Sequence, residues 1–312
     1  MVKFHQKREF VIKKDIDWLA VGALVTAMLV WASSFIALKS AIGPMGPFSV
    51  IFIRMFFASL CFVFFIKQFL KLRFTKDDIK YIAIMTLFEP CMYFIFEAKA
   101  LQYTSAAQAG MITSMMPLIT AVGAGIILGE VITKKVAIGS MLAVIGAIWL
   151  SLSASSDVHA SNPLLGNTLE FLAMVCGSGY AISIRRLSEK FSALFLTAIQ
   201  AFVGVLFYFP FAIWEYNTIN MYFTWDSFLW TVYLGVIVTL GGYGMFNFAL
   251  GRMQAAKAAI YINLIPVFTV ILAFLILGEK LKFVQIVASI IILTGVFISQ
   301  IPTIKLRKKR ST

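Results

Sequence analysis

Residues 100–130 read ALQYTSAAQAGMITSMMPLITAVGAGIILGE, and residues 249–279 read ALGRMQAAKAAIYINLIPVFTVILAFLILGE. The two stretches align without a gap at a constant offset of 149 positions and are identical at 12 of 31. Ala106, Ala107 and Ala109 match Ala255, Ala256 and Ala258, Pro117 matches Pro266, and both copies end in Leu-Gly-Glu at 128–130 and 277–279. The register continues through Ser140/Ser289 and Gly146/Gly295. Both copies are apolar over a length that crosses a bilayer as a helix, so the chain is an internally duplicated membrane protein. Duplicated halves that meet around a midplane cavity are the usual architecture of a transporter.

Composition agrees. Hydrophobic residues make up 61% of the 312 and charged residues 13%, with a mean hydropathy of +0.91. A soluble domain carries about 25% charged residues. Apolar runs of membrane-spanning length lie at 18–38, 47–66, 79–98, 104–128, 135–153, 164–184, 192–213, 228–249, 257–277 and 283–301. The expected organisation is an N-terminal tail at 1–17, one five-helix repeat at 18–153, a second at 164–301 and a basic tail at 302–312. The first apolar run passes Trp31 to reach Lys39 with no small-residue cleavage site, and reads as an uncleaved span rather than a signal peptide.

The net charge of +13 is explained by topology. With ten spans both termini share a side. If that side is cytoplasmic, 22 of the 27 Lys and Arg residues fall in inside segments and 4 (Lys39, Lys99, Lys280 and Lys282) outside, with Arg54 within a helix. This is the positive-inside pattern, and it removes the need for a nucleic-acid partner. The three cysteines, Cys61, Cys91 and Cys176, all lie in apolar segments and give neither a disulfide framework nor a metal pair.

Five spans per half is an odd number, so the halves enter the membrane in opposite orientation, related by a pseudo-two-fold axis in its plane. The fold expected is therefore all-α, with ten transmembrane helices as two inverted five-helix repeats around a central cavity. Inversion supplies two similar folds open to opposite sides, which alternating access requires. Within the repeat, Ala106, Gly110 and Ser114 share a helix face and match Ala255, Ala259 and Asn263. Small residues four apart let helices approach closely. Pro117 and Pro266 fall near mid-helix, where a missing N–H bends the helix and leaves carbonyls needing polar company. That makes Ser114 and Asn263 candidates for lining the cavity.

The doubled Ala-Ala/Pro/Leu-Gly-Glu pattern and the five-plus-five layout resemble the EamA-type branch of the drug/metabolite transporter superfamily. Trp31-Ala-Ser-Ser-Phe35 is similar to the Trp-Gly-x-x-Phe of that family, with Ala32 in place of the glycine, and Arg54 sits where the family often carries an arginine. The resemblance implies an inner-membrane carrier, commonly an exporter of amino acids or related metabolites, acting without a cofactor.

Ionisable residues inside a bilayer are costly and are functional candidates by default. Glu89 lies near the centre of the third span and Glu97 two turns later on nearly the same face, with Tyr93 between them and Pro90 directly after Glu89. Arg54 lies about two turns into the second span, and Glu170 at similar depth in the sixth. One reading is a cavity of both signs, with Arg54 for a carboxylate and Glu89 or Glu97 for an ammonium, suiting a zwitterion such as an amino acid. Glu89 is also a possible proton site. The alternative is that Arg54 pairs with Glu97 or Glu170 only to cancel charge. Trp31, inside the first span beside Ser33 and Ser34, is a candidate for stacking on substrate.

Trp18, Trp149, Trp214, Trp225 and Trp230 read as an interfacial aromatic belt. Glu130 and Glu279 are expected to pair with lysines or a neighbouring helix end, and Lys39 and Lys99 to snorkel. His5 and His159 lie outside the spans, and no catalytic motif is present, which argues against a membrane enzyme. A receptor would need a signalling domain. A channel is disfavoured by the inverted repeat, and other carrier substrates, such as cationic drugs or nucleotide-sugar-like metabolites, are the remaining alternatives. The expected partners are a small-molecule substrate and lipid, with a homodimer left open by the sequence.

Overall fold

The structure is a computed structural model, described over residues 17–128, 134–153, 160–188, 190–250 and 261–300. Within them the elements are helices: α1 (Trp18–Met45), α2 (Pro47–Val63), α3 (Lys76–Tyr103), α4 (Ala106–Thr113 and Met116–Leu128) and α5 (Lys134–Ser153). They continue as α6 (Pro163–Leu187), α7 (Ala193–Thr218), α8 (Trp225–Tyr233, Leu234–Gly242 and Tyr243–Leu250), α9 (Leu264–Leu277) and α10 (Phe283–Gln300). Six of these, α1, α3, α4, α5, α7 and α8, are long and apolar enough to cross a membrane, and α2, α9 and α10 are shorter apolar helices. Large apolar side chains such as Phe64, Leu206 and Phe297 stand exposed on the outside. A surface of this kind is stable only against lipid, and the chain is a multi-pass membrane protein.

The helix starts follow from local sequence. Asp17, Ser105, Asn162, Ser192 and Thr224 each place a side-chain oxygen on a backbone N–H of the first turn, and Thr75 with Asp78 forms a capping box at α3. Helix α9 ends at Gly278, whose φ of 68° is the left-handed conformation that glycine adopts without a Cβ clash.

Helix α2 packs along α7, α5 along α10, and α4 across α9. Helix α1 packs on α8 and α9, while α6 packs on α3 and α4. Exchanging each helix with the one five places later returns the same scheme. Gly110 of α4 meets Thr269 of α9 at their crossing, where a Cβ would come within 2.6 Å, so the small-residue face does serve close packing.

The prolines act slightly upstream of where the sequence puts them. Helix α4 breaks at Ser114–Met115 and α9 begins after a turn at Ile262–Asn263, so Pro117 and Pro266 sit in the first turn of the continuing helix. A proline is tolerated there, and its ring excludes the turn before it from a continuous ladder.

One end of the molecule carries the α2–α3 and α6–α7 links. Here Lys190 pairs with Asp78, and the Arg186 guanidinium lies 4.4 Å from the Tyr81 ring centre. We refer to it as the basic end. At the opposite end, carboxylates close two helix starts. Glu215 accepts from the N–H of Phe48 (3.3 Å) and Ser49 (2.7 Å), and Glu279 from those of Ala106 (3.0 Å) and Ala107 (2.9 Å). Glu279 thus has the helix-end role expected of it, while Glu130 lies outside the described residues. Lys39 does not snorkel: its Nζ lies 3.6 Å from Glu279 and bonds the Thr104 carbonyl, tying α1 to the start of α4. Trp230 also departs from the belt, being half-buried and packed against the core.

Candidate functional site

A cavity of about 360 Å³ lies between the helices. Its wall begins near mid-depth at Trp31, Arg54 and Glu89 and extends to Ser188 at the end of α6. Ser188 is exposed, so the cavity reaches toward the basic end, while the Glu215 and Glu279 contacts lie at the other.

Glu89 is placed by a break in α3. Proline lacks an N–H and forces the residue before it out of the helical region. Glu89 accordingly adopts φ −145° and ψ 118°, and the following turns are widened. The carbonyls released are met by α7: Gln200 Nε2 donates to Glu89 O (3.3 Å), and the Tyr208 hydroxyl lies 3.0 Å from Pro90 O and 2.5 Å from Cys91 O. The break is therefore braced by two side chains of α7.

The break turns the Glu89 carboxyl into the cavity, where its Oε1 accepts from the Tyr243 hydroxyl of α8 at 3.0 Å. Two turns on, Glu97 lines the same wall and accepts from Tyr93 at 3.0 Å. Arg54 of α2 is 5% exposed and stacks its guanidinium 4.5 Å from the Phe94 ring centre. It forms no ion pair with a described residue within 4.0 Å. The result is an arginine and two carboxylates on one cavity wall. Glu170 is fully buried behind that wall, where its Oε1 lies 3.1 Å from the hydroxyl of Thr113.

Of the residues singled out from sequence, Trp31, Arg54, Glu89, Tyr93 and Glu97 line this cavity. Ser114 and Asn263 are not among its lining residues. Ser114 is buried and donates to Met111 O of its own helix at 2.6 Å. Pro117 and Pro266 likewise lie off the wall. Trp31 packs against Tyr243 and Phe246 with ring centres 5.2 Å apart in each case. Among the described residues no three His, Cys, Asp or Glu side chains are grouped as metal ligands.

Sequence reading overlooked the second-half wall, although the 149-residue offset locates it. Adding 149 to Trp31, Phe35 and Glu89 gives Tyr180, Ile184 and Val238, all of which line the cavity. The same step takes Phe94, Glu97, Thr113 and Met116 to Tyr243, Phe246, Ile262 and Ile265, again all lining residues. The widened turn of α3 at Leu87–Met92 also has its counterpart in α8, at Leu234–Gly242.

Comparison with known proteins agrees with this geometry. The model of the EamA-like transporter family matches twice, over residues 18–152 and 164–300. An "Uncharacterized transporter" of Archaeoglobus fulgidus is 25% identical over 88% of this chain and 95% of its own length. The "Uncharacterized transporter YetK" of Bacillus subtilis is 26% identical over 93% and 89%. A "Probable terminal-alkyne amino-acid exporter" of Streptantibioticus cattleyicolor is 23% identical over 94% and 97%. A solved crystal structure superposes with a TM-score of 0.60 at 18% identity, covering 90% of this chain and 96% of that one, and so shares its fold. With the family model matched in both halves, this chain belongs to the EamA-like transporter family and is a transporter, not an enzyme.

Proposed function

We propose that the chain is a carrier that exports amino acids or closely related zwitterions across the cell membrane by alternating access. The observation that carries this reading is the pairing of Arg54, which has no protein carboxylate bound, with Glu89 and Glu97 in one cavity. A guanidinium grips a carboxylate through two parallel hydrogen bonds, and a carboxylate takes an ammonium. Both gains are large only where water is excluded, as on this largely apolar wall. The relative named as an amino-acid exporter supports the same substrate class.

Alternating access is supported by the helix pairing scheme, which maps onto itself when the halves are exchanged. We read ten spans in two inverted repeats, 18–153 and 164–301, with Ser114/Pro117 and Asn263/Pro266 shaping the helix breaks beside the cavity. The basic end faces the cytoplasm on the positive-inside rule, and both termini lie there. The conformation is then open inward and closed outward, ready to load substrate for export.

A second reading, a carrier of organic cations, draws on the carboxylates outnumbering the guanidinium in the cavity. An efflux screen separates the two. Cells lacking their own amino-acid exporters, loaded with labelled amino acids and labelled amines, should release amino acids faster when this chain is expressed. Release of amines alone would favour the second reading, and release of neither would overturn both.

A further inference from the structure

The cavity is symmetric in shape and asymmetric in chemistry. Positions 149 apart face it in pairs, yet its charged side chains, Arg54, Glu89 and Glu97, all come from the first half. The second-half counterparts of those two glutamates are Val238 and Phe246, and Thr113 is matched by Ile262. The polar side chains on the second-half wall are Tyr180, Tyr243, Thr197 and, at the exposed end, Ser188. Tyr243 is bonded to Glu89 at 3.0 Å, and the Tyr180 hydroxyl lies 3.4 Å from Gln200 Oε1. The Tyr243 hydroxyl is thus spent on the first-half carboxylate, and Val238, Phe246, Ile262 and Ile265 form the apolar part of the second-half wall.

We propose that this division orients and selects the substrate. The first half holds the ammonium and carboxylate of an α-amino acid, and the second half holds a bulky apolar side chain. The preferred substrates are then branched or aromatic amino acids over glycine, alanine and amino acids with polar side chains. This rests on the zwitterion-carrier reading and narrows it. A polar side chain turned toward Val238, Phe246 and Ile262 would lose its water with no partner there. An apolar one gains in proportion to the area it covers. A cavity of about 360 Å³ is at the small end of ligand pockets, which run from about 300 to 1,000 Å³, and has room for one such amino acid.

The test uses the full purified chain in liposomes, measuring counterflow of labelled leucine and of labelled glycine, with unlabelled phenylalanine, alanine and serine as competitors. Wild type should prefer leucine to glycine by about tenfold or more, the range expected from a few methylenes in an apolar pocket. Phe246→Ala should lower that preference about tenfold. Val238→Thr, which keeps the side-chain shape and adds one hydroxyl, should lower it in the same direction and guards against a misfolded alanine variant. Arg54→Gln should depress both substrates alike. Wild type moving glycine as well as leucine, or both wall variants leaving the preference intact, would overturn the inference while leaving the carrier reading standing. Failure of wild type to move any amino acid would overturn both.

Discussion

Gly139 of α5 and Gly295 of α10 touch backbone to backbone: a Cβ on either would lie 2.4 or 2.5 Å from the carbonyl oxygen of the other. Shifting both by the repeat offset gives Ala288 and Gly146, and there too a Cβ on Gly146 would lie 3.0 Å from Ala288 O. One contact is thus built twice by equivalent residues, on helices that the first contact (139 with 295) and the second (146 with 288) show to be antiparallel.

Gly295→Ala should therefore destabilise the protein. The obstacle is the backbone of α5, which cannot rotate away, and overpacking of this kind costs about 1–3 kcal/mol. Gly22→Ala is the control, because nothing lies within 4 Å of a Cβ at that lipid-facing position and alanine favours the helix. Thermal unfolding in detergent should place Gly295→Ala below wild type and Gly22→Ala at or above it. Equal midpoints would mean that the α5–α10 contact is not as close as it stands here.

Glu279 ties α9 to the start of α4 at the end away from the cavity mouth, and its removal should loosen that end. Glu279→Ala leaves two N–H groups of α4 uncapped, at about 0.5–2 kcal/mol for a lost cap, and removes the carboxylate 3.6 Å from the Lys39 ammonium. Adding Lys39→Met should cost less than it does in the wild-type background, since the two side chains share one contact. In a background without Cys61, Cys91 and Cys176, thiol labelling at Thr104→Cys should rise when Glu279→Ala is added. Unchanged labelling would show that the contact does not hold this end shut.

Glu89 should matter for transport and not for folding. Its carboxyl faces the cavity and has one hydroxyl partner, while the break that positions it is held by Gln200 and Tyr208 through backbone atoms. Glu89→Gln keeps the shape and removes the charge. Unfolding temperature should stay near wild type while transport falls about tenfold or its dependence on pH flattens, and Tyr243→Phe should move transport the same way by less. Wild-type transport by Glu89→Gln from mildly acidic to mildly basic pH would make the residue structural only.

Sidedness has its own check. Asp77 lies at the basic end and Asn220 in the exposed loop after α7 at the other. In intact cells an impermeant thiol reagent should label Asn220→Cys and spare Asp77→Cys; the reverse pattern would invert the topology.

Much of this was legible in the sequence because membranes allow so few solutions. Apolar length gave the helices, and the misplaced charges gave Arg54, Glu89 and Glu97. Pro90 announced the break that aims Glu89. What stayed hidden was the uncharged part of the site. Val238, Phe246 and Ile262 look like any lipid-facing or core residue, and only their 149-residue partners mark them as cavity wall. Ser114 shows that a polar residue beside a proline can bond its own helix, here Met111 O, without lining the cavity. Lys39 was misread because helix-end position alone does not reveal a partner, Glu279, 240 positions away.

The most direct measurement is trans-stimulated exchange of leucine by the purified chain in liposomes, wild type against Arg54→Gln. For a carrier, labelled leucine entry should saturate with concentration and accelerate when unlabelled leucine is trapped inside. In Arg54→Gln it should fall at least about tenfold, since hydrogen bonds to a charged group contribute about 1.5–3 kcal/mol. Linear flux indifferent to internal leucine, or an Arg54→Gln variant that exchanges at the wild-type rate, would contradict a carrier that holds its substrate by the carboxylate.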